Sequence, residues 1–209
     1  MTSIQQTAAV LYTVGHSNHD WETFLDLLNV NSVTCIVDVR SSPYSRYCPQ
    51  FNRDTLQQAL EVEGLHYVFM GRELGARRDE PGCYVDGQAR YDLIAKSKLF
   101  QAGLARIRKG VVGHRIALMC SEKDPITCHR MVLVCHSLKS ESIEIRHVLD
   151  DGYVETNEES ERRLLEEWGF PGKSLFEDHN IPNLADAYHK QGLKIAWSEP
   201  DISHVDEQE

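Results

Sequence analysis

Apolar and polar positions along the chain follow two periods, and their alternation predicts a repeated strand–helix arrangement. Short, nearly continuous apolar runs are typical of strands buried on both faces of a sheet. Longer segments with apolar residues three or four positions apart predict amphipathic helices. The predicted strands are residues 8–14, 33–39, 65–70, 115–119 and 143–148, and the predicted helices are residues 21–28, 53–63, 92–109, 128–138 and 158–168.

This order of elements predicts an α/β fold with a mainly parallel sheet flanked by helices, a Rossmann-like three-layer sandwich. The 209 residues fit one such domain, which we place at residues 1–200. Residues 201–209 are acidic and poor in apolar side chains, so we expect them to form a disordered tail.

Four short polar motifs each follow a predicted strand directly. In an open parallel sheet, the loops beyond the carboxyl ends of the strands form the ligand crevice, so we expect these motifs to meet at one edge. The motifs are Gly15-His16-Ser17, Asp38-Val39-Arg40, Gly71-Arg72-Glu73-Leu74-Gly75 and Cys120-Ser121-Glu122. The residues expected to line one pocket together are His16, Asp38, Glu122 and Arg130.

Charge and composition restrict the class of protein. The 22 Lys and Arg residues against 32 Asp and Glu residues give a net charge of −10, which argues against broad, nonspecific binding to nucleic acid or to anionic membranes. Residues 1–9 have no basic region and too short an apolar stretch for a signal peptide, so we expect a cytoplasmic protein without a membrane partner. Six irregularly spaced cysteines favour reduced thiols over a disulfide framework.

Residues 120–130 carry the densest candidate chemistry. With Thr127 as the N-cap of the predicted helix, Cys128 lies in its first turn. There the positive end of the helix dipole, together with His129 and Arg130, favours a thiolate, which makes Cys128 a candidate nucleophile. The alternative interpretation is a small buried core residue.

The same stretch also offers metal ligands. Cys120, Cys128 and His129 are soft and borderline donors that could converge with His16. Structural zinc sites normally contain paired ligands such as Cys-x2-Cys, and the sequence has no such pair. We therefore expect no cofactor, with a metal at Cys120, Cys128 and His129 as the alternative.

Two carboxylates stand at predicted strand ends. Asp38 closes a buried strand and Glu122 lies two residues beyond another, so both are candidates for acid–base or nucleophilic work. Such a pair suits glycosidic cleavage. In the alternative interpretation, Asp38 pairs with Arg40 and Glu122 pairs with Arg130 as scaffolding.

Arginines and tyrosines near this edge favour a phosphorylated ligand. Guanidinium groups bind phosphate in planar, bidentate pairs, and tyrosine rings stack on bases. The expected substrate-binding residues are Ser17, Arg40, Ser45, Tyr67, Arg72, His129 and Arg130. Residues 76–90, a polar loop with Arg77 and Arg78, form a candidate lid or binding loop, and the alternative is a solvated excursion.

The motifs, taken in order, resemble the family catalogued as domain of unknown function 488. This resemblance covers most of the chain and implies an α/β domain whose motif residues meet in one pocket, but it implies no reaction. Ala76 departs from the family pattern, since many relatives have a second glycine there. The matching motifs are Thr13-Val14-Gly15-His16-Ser17, Asp38-Val39-Arg40 with Pro43 and Ser45, Leu74-Gly75, Cys120-x-Glu122, Cys128-His129-Arg130 and His147-x-Leu149-x-Asp151-Gly152.

Acid, thiol and imidazole groups at one edge favour an enzyme over a binding module. We expect a hydrolase or transferase acting on a nucleotide or on a base in nucleic acid, with N-glycosidic cleavage of the DNA glycosylase type as one such reaction. The candidate catalytic residues are Asp38, Glu122, Cys128 and His16. The alternatives are an enzyme with Cys128 as thiolate nucleophile and a non-enzymatic regulatory or adaptor domain that binds a small anion near Thr127.

Overall fold

The computed structural model describes residues 9–139, 143–170 and 183–199. The strands are β1 (Ala9–Gly15), β2 (Cys35–Asp38), β3 (His66–Phe69), β4 (Tyr84–Val85), β5 (Gln88–Ala89), β6 (Ile116–Cys120), β7 (Ile143–Val148) and β8 (Val154–Thr156). The helices are α1 (Trp21–Val30), α2 (Arg53–Val62), α3 (Gly71–Leu74), α4 (Tyr91–Ile94), α5 (Lys98–Gly110), α6 (π-helical over Arg130–Cys135 and continuing as His136–Leu138), α7 (Asn157–Glu167) and α8 (Leu184–Ile195). Short 3-10 turns lie at Pro49–Phe51, Pro81–Cys83 and Pro125–Thr127.

Six strands form the main sheet in the order β3-β2-β6-β1-β7-β8. All neighbours are parallel except β8, which runs antiparallel to β7. Gly15 lies opposite Cys120, and Asp38 lies opposite Met119, so β1, β2 and β6 end at the same edge. The predicted α/β sandwich with a mainly parallel sheet is confirmed.

The sheet is buried on both faces, as its apolar runs predict. In β6, Ile116 and Leu118 belong to the buried cluster that includes the apolar face of α5. Ala117 and Met119 point the other way, into the cluster formed with α1 and α2. Helices therefore cover both faces of the sheet.

The long helix predicted at residues 92–109 is wrong, because the segment forms two helices, α4 and α5. The side chain of Ser97 accepts a hydrogen bond from the backbone N–H of Phe100 and starts α5 as its N-cap. A capping serine inside an otherwise helical pattern favours the start of a new helix over continuation of the preceding one.

Residues 76–90 contain more structure than a loop. They include the Pro81–Cys83 turn and the hairpin β4–β5, whose connecting residues Asp86 and Gly87 have positive φ angles of 49° and 72°. Two-residue hairpin turns favour Asp-Gly for this reason. The hairpin also pairs with the chain beyond α8, since Ala89 donates its backbone N–H to the carbonyl of Trp197 at 2.9 Å.

Helix α8 lies outside the predicted elements, although Asn183 and Asp186 form a capping box at its start. The disordered tail expected at residues 201–209 lies outside the described residues, as do residues 1–8. Within the described ranges, no helix is long and apolar enough to cross a membrane.

Candidate functional site

A polar cavity of about 350 Å³ opens beside the loops that follow β2 and β6. This volume lies within the usual size range of small-molecule sites. Side chains from distant parts of the chain converge on it, including the segment beyond α8. Its walls include Tyr44, Arg77, Tyr91, Cys120, Glu122, His129 and Trp197.

Four side chains form a compact group, which we call the Cys–Glu–Cys–His cluster: Cys120, Glu122, Cys128 and His129. Cys120, Glu122 and His129 also line the cavity. One donor atom from each residue lies within 4.8 Å of all the others. The Cys120 and Cys128 thiols lie 2.9 and 3.1 Å from Glu122 Oε2. His129 Nδ1 lies 3.6 Å from the first sulfur and 3.9 Å from the second.

The local sequence explains how these atoms meet. Cys120 ends β6, and Asp124 then accepts the backbone N–H of Ile126 and starts the Pro125–Thr127 turn. Proline suits the first position of such a turn, since its fixed φ costs little there. The turn brings Cys128 back to the end of β6.

Thr127 as the N-cap of α6 is therefore a wrong prediction. Thr127 lies in the 3-10 turn, and its hydroxyl donates to the carbonyl of Asp124. Cys128 has extended backbone, its carbonyl accepts the N–H groups of Met131 and Val132, and its sulfur accepts the Arg130 N–H at 3.4 Å. Cys128 itself thus precedes α6, and its sulfur caps the helix start.

The orientation of His129 is fixed by the neighbouring strand. Its Nε2 lies 3.0 Å from the carbonyl oxygen of Val39. A carbonyl only accepts, so Nε2 carries the proton and Nδ1 faces the two thiols. Burial acts to lower the pKa of His129, but its contacts with Cys128, Glu122 and the Val39 carbonyl together raise it overall.

The two thiols differ in acidity. The hydrogen bond to Cys128 and burial hold the pKa of Cys120 well above its usual value. Burial also acts to raise the pKa of Cys128, but the Cys120 thiol and the charges of Arg130 and His129 bring it well below the usual value. Desolvation of its carboxylate by the surrounding protein and the charge of Cys128 raise the pKa of Glu122, although the residue is exposed at the cavity wall. Cys128 is therefore the more acidic of the two thiols.

Asp38 is fully buried, with 0% of its surface exposed. Its Oδ1 accepts the Arg40 Nε–H at 2.9 Å, and its Oδ2 accepts Arg40 Nη2 at 2.7 Å and the Tyr67 hydroxyl at 2.8 Å. Arg40 reaches the cavity wall, yet its guanidinium also donates to the carbonyl of Phe51. These groups form a buried polar network next to the cavity.

His16 belongs to the same network. Its ring stacks on Phe51 at 4.4 Å, and its Nε2 lies 3.0 Å from Arg40 Nη1. Nδ1 donates to the carbonyl of Ser17 at 2.8 Å. Burial and the charge of Arg40 lower the pKa of His16 to about 4, so the ring is neutral near neutral pH.

Arg130 is also completely buried, and it holds a loop rather than facing the cavity. Its guanidinium donates to the backbone carbonyls of Glu122 and Lys123 and to the Thr13 hydroxyl. Of the four residues expected in one pocket, only Glu122 lines this cavity. His16, Asp38 and Arg130 are buried close to the same strand ends.

The remaining predicted site residues are dispersed. Ser45 accepts the backbone N–H groups of Tyr47 and Cys48, and Ser17 donates to Asn18. Arg72 lines an adjoining cavity of about 480 Å³ that shares the side chains of Arg77 and Trp197 with the first one.

The aromatic part of the cavity has no signal in the sequence motifs. Trp197 reaches the wall through the pairing of its segment with the hairpin, and no local pattern indicates this. The Arg77 guanidinium lies 5.4 Å above the Trp197 ring and forms no ion pair with any carboxylate of the described residues. Arg77 therefore presents a free cation to the cavity.

A family model with the description "Domain of unknown function DUF488" matches residues 20–136, from just before α1 into α6. The matched segment contains the whole Cys–Glu–Cys–His cluster. The chain has no match among curated proteins or solved structures.

Proposed function

This chain belongs to the family described as Domain of unknown function DUF488, and because that description names no activity, we propose a function from the cavity. The protein is a hydrolase of a small phosphorylated ligand of the nucleotide class, with Glu122 as general acid–base. The observation that carries this proposal is the position of Glu122, whose carboxylate joins the cluster at the wall of the cavity.

Glu122 meets the geometric requirement for acid–base work. It is the carboxylate among the residues that line the cavity, and its loop is fixed from behind by Arg130. General acid–base catalysis needs a group that is positioned within reach of the reacting proton. A fixed backbone with a side chain open to the cavity provides that position.

The cavity walls favour a nucleotide. Arg77 offers a free guanidinium for a phosphate, and Tyr44 and Trp197 offer rings for a base. The net charge of −10 disfavours a long polyanion, so a mononucleotide is favoured over a base in duplex nucleic acid.

The proposal assigns no reacting role to Asp38. Both of its oxygens are bound by Arg40 and Tyr67, away from the cavity lining. A mechanism with two reacting carboxylates is therefore not favoured. Hydrolysis of the N-glycosidic bond, or of a bond within the base, needs one group that takes a proton from the attacking water. Glu122 is that group.

Replacement of Glu122 tests this function. Nucleosides, nucleotides and short DNA and RNA are screened for released base, phosphate or ammonia. We expect Glu122→Gln to lower the turnover of the substrate found by about 100-fold or more, because it removes the positioned proton acceptor. The matched control, Glu144→Gln, changes a half-exposed carboxylate on β7 and should retain activity.

Full activity of Glu122→Gln would overturn the proposal. Saturable nucleotide binding without turnover of any substrate would overturn it as well, and would favour the non-enzymatic anion-binding domain.

A further inference from the structure

We propose that Cys120, Cys128 and His129 bind a divalent zinc-class metal ion, with Glu122 beside its open coordination position. The role of this ion in hydrolysis rests on the proposed function, whereas its binding does not. The donor set of two sulfurs and one imidazole nitrogen is typical of zinc. Sulfur donors also disfavour magnesium and calcium, which prefer oxygen.

The spacing of the donors fits such an ion. Metal–ligand bonds of about 2.0–2.3 Å in a tetrahedral site separate the ligands by roughly 3.3–3.8 Å. His129 Nδ1 already lies 3.6 and 3.9 Å from the two sulfurs. Binding of the ion displaces the protons that the thiols still hold in their hydrogen bonds to Glu122 Oε2, which leaves this carboxylate without these partners beside the open position.

The surroundings of His129 provide an independent argument. Metal-binding histidines usually donate their other ring N–H to a carbonyl or carboxylate, which fixes the ring and its tautomer. His129 does this through Nε2 and the carbonyl of Val39, at 3.0 Å. In the neutral ring that a metal ion requires, the Nδ1 lone pair is thereby directed at the two sulfurs.

The ligands stand on rigid supports. Cys120 ends the central strand β6, and the sulfur of Cys128 accepts the backbone N–H of Arg130. Such hydrogen bonds orient a ligating thiolate and tune the metal. Cys120, Cys128 and His129 are all buried, so three ligands are held on the protein side.

Glu122 differs from the other three members of the cluster because it is exposed at the cavity wall. Three fixed protein ligands with a fourth position open to a cavity are typical of catalytic zinc sites. A water bound at that position becomes acidic. With the ion held by Cys120, Cys128 and His129, Glu122 would take one proton from this water as it attacks the substrate and would return that proton to the leaving group.

The experiment measures metal binding by the full chain without substrate. Purified protein is analysed for zinc, and the metal-free protein is titrated with Co²⁺. Bound Co²⁺ should give thiolate charge-transfer bands and the visible bands of a tetrahedral ion at one equivalent. Cys128→Ser and His129→Gln should lose more affinity than the roughly 10- to 100-fold typical of an outer-shell change.

Cys135→Ser is the matched control. Cys135 is a buried cysteine on α6 outside the cluster, so this variant should bind metal as the unmodified chain does. If a variant of a metal-binding residue fails to fold, the site is tested instead by alkylation of the unmodified chain. Zinc should then protect Cys120 and Cys128 from alkylation, while the half-buried Cys48 reacts with or without zinc.

The outcomes separate this inference from the proposed function. Glu122→Gln should keep the metal and lose turnover. Absence of cobalt bands and of zinc protection overturns the metal site, even if turnover depends on Glu122. A substrate adduct on Cys128 in metal-free protein also overturns it, in favour of a thiolate nucleophile. Metal binding without any turnover supports the site and overturns the hydrolase.

Discussion

Arg130 is the largest fully buried side chain in the described part of the chain. A buried guanidinium is costly unless its donors are satisfied. Arg130 satisfies them with the carbonyls of Glu122 and Lys123 and the hydroxyl of Thr13. Its charge thus remains close to Cys128, where it lowers the pKa of the thiol. One residue therefore fixes the Glu122 loop and lowers the pKa of the neighbouring Cys128 thiol.

The pair of Asp38 and Arg40 leads to a prediction about stability. Asp38→Asn removes the charge that compensates the buried guanidinium and should lower the free energy of unfolding by about 3 kcal/mol or more. Tyr67→Phe removes only one hydrogen bond to the same carboxylate and should cost about 1 kcal/mol. Urea denaturation measures both. An Asp38→Asn variant with unchanged stability but lost turnover would contradict this interpretation.

The residue types of the site were predictable, but their roles depend on contacts that a sequence does not contain. The motifs indicate Asp38, Glu122 and Cys128, and a pairing of Asp38 with Arg40 was one of two open interpretations. The structure confirms that pairing. Glu122 and Arg130 also meet, but through the backbone carbonyl of Glu122 instead of its carboxylate.

At the scale of elements, the segment from β6 to α6 determines the site. It passes from strand through a 3-10 turn into a π-helical segment, Arg130–Cys135. π-helical turns are rare and are found frequently at functional sites. Apolar periodicity predicted a helix here but neither its type nor its first residue. Cap rules favour side-chain oxygens and therefore indicate Thr127, whereas the helix start is capped by the sulfur of Cys128.

Close packing at strand ends leads to a second prediction. A Cβ atom on Gly15 would lie 2.0 Å from the carbonyl oxygen of Glu122 and 2.9 Å from Lys123 Cα. Gly15→Ala must therefore displace the Glu122 loop, and we expect a loss of about 1–3 kcal/mol in stability. It should also weaken Co²⁺ binding. Unfolding and metal titration measure the two effects.

Gly113→Ala is the control for this prediction, because a Cβ there meets no atom within 4 Å. Equal stability and metal affinity in the Gly15 and Gly113 variants would show that the strand end does not position the loop. Gly71 and Gly75 make similar close approaches, to the carbonyl of Arg40 and to the Ser41 side chain. Glycines in these motifs thus allow neighbouring segments to approach closely where a side chain would collide.

At the scale of the whole molecule, the alternation of strands and helices was sufficient to predict the three-layer fold. The lateral order of the strands was not predictable, because every buried strand has a similar apolar composition and any of them could take the centre. The C-terminal part of the cavity was unpredictable for a related reason. Its wall depends on Ala89 pairing with Trp197, which are far apart in the sequence.

Buried neutral histidines predict acid sensitivity of the whole fold. His147 lies between Thr13 Oγ1 and Asn157 Oδ1, and burial together with the charge of Arg130 lowers its pKa from 6.5 to about 3. Burial similarly lowers the pKa of His16 to about 4. Between these values and 6.5, the unfolded chain binds protons that the folded chain does not, so stability falls as the pH falls.

Urea midpoints at about pH 7 and about pH 5 measure this effect. The unmodified chain should be less stable at the lower pH, and His147→Gln should show a smaller difference between the two. His189→Gln, at an exposed position, should behave as the unmodified chain does. An equal pH dependence in the His147 and His189 variants would contradict the assignment.

The position of β6 between β1 and β2 has a consequence for synthesis on the ribosome. In the described sheet, the first strand to emerge, β1, pairs only with β6 and β7, which are made much later. The backbone N–H and C=O groups of β1 can therefore form their sheet hydrogen bonds only after about half of the chain has been translated. Trp197 emerges later still, so a nascent chain can assemble the Cys–Glu–Cys–His cluster before the cavity in front of it is closed.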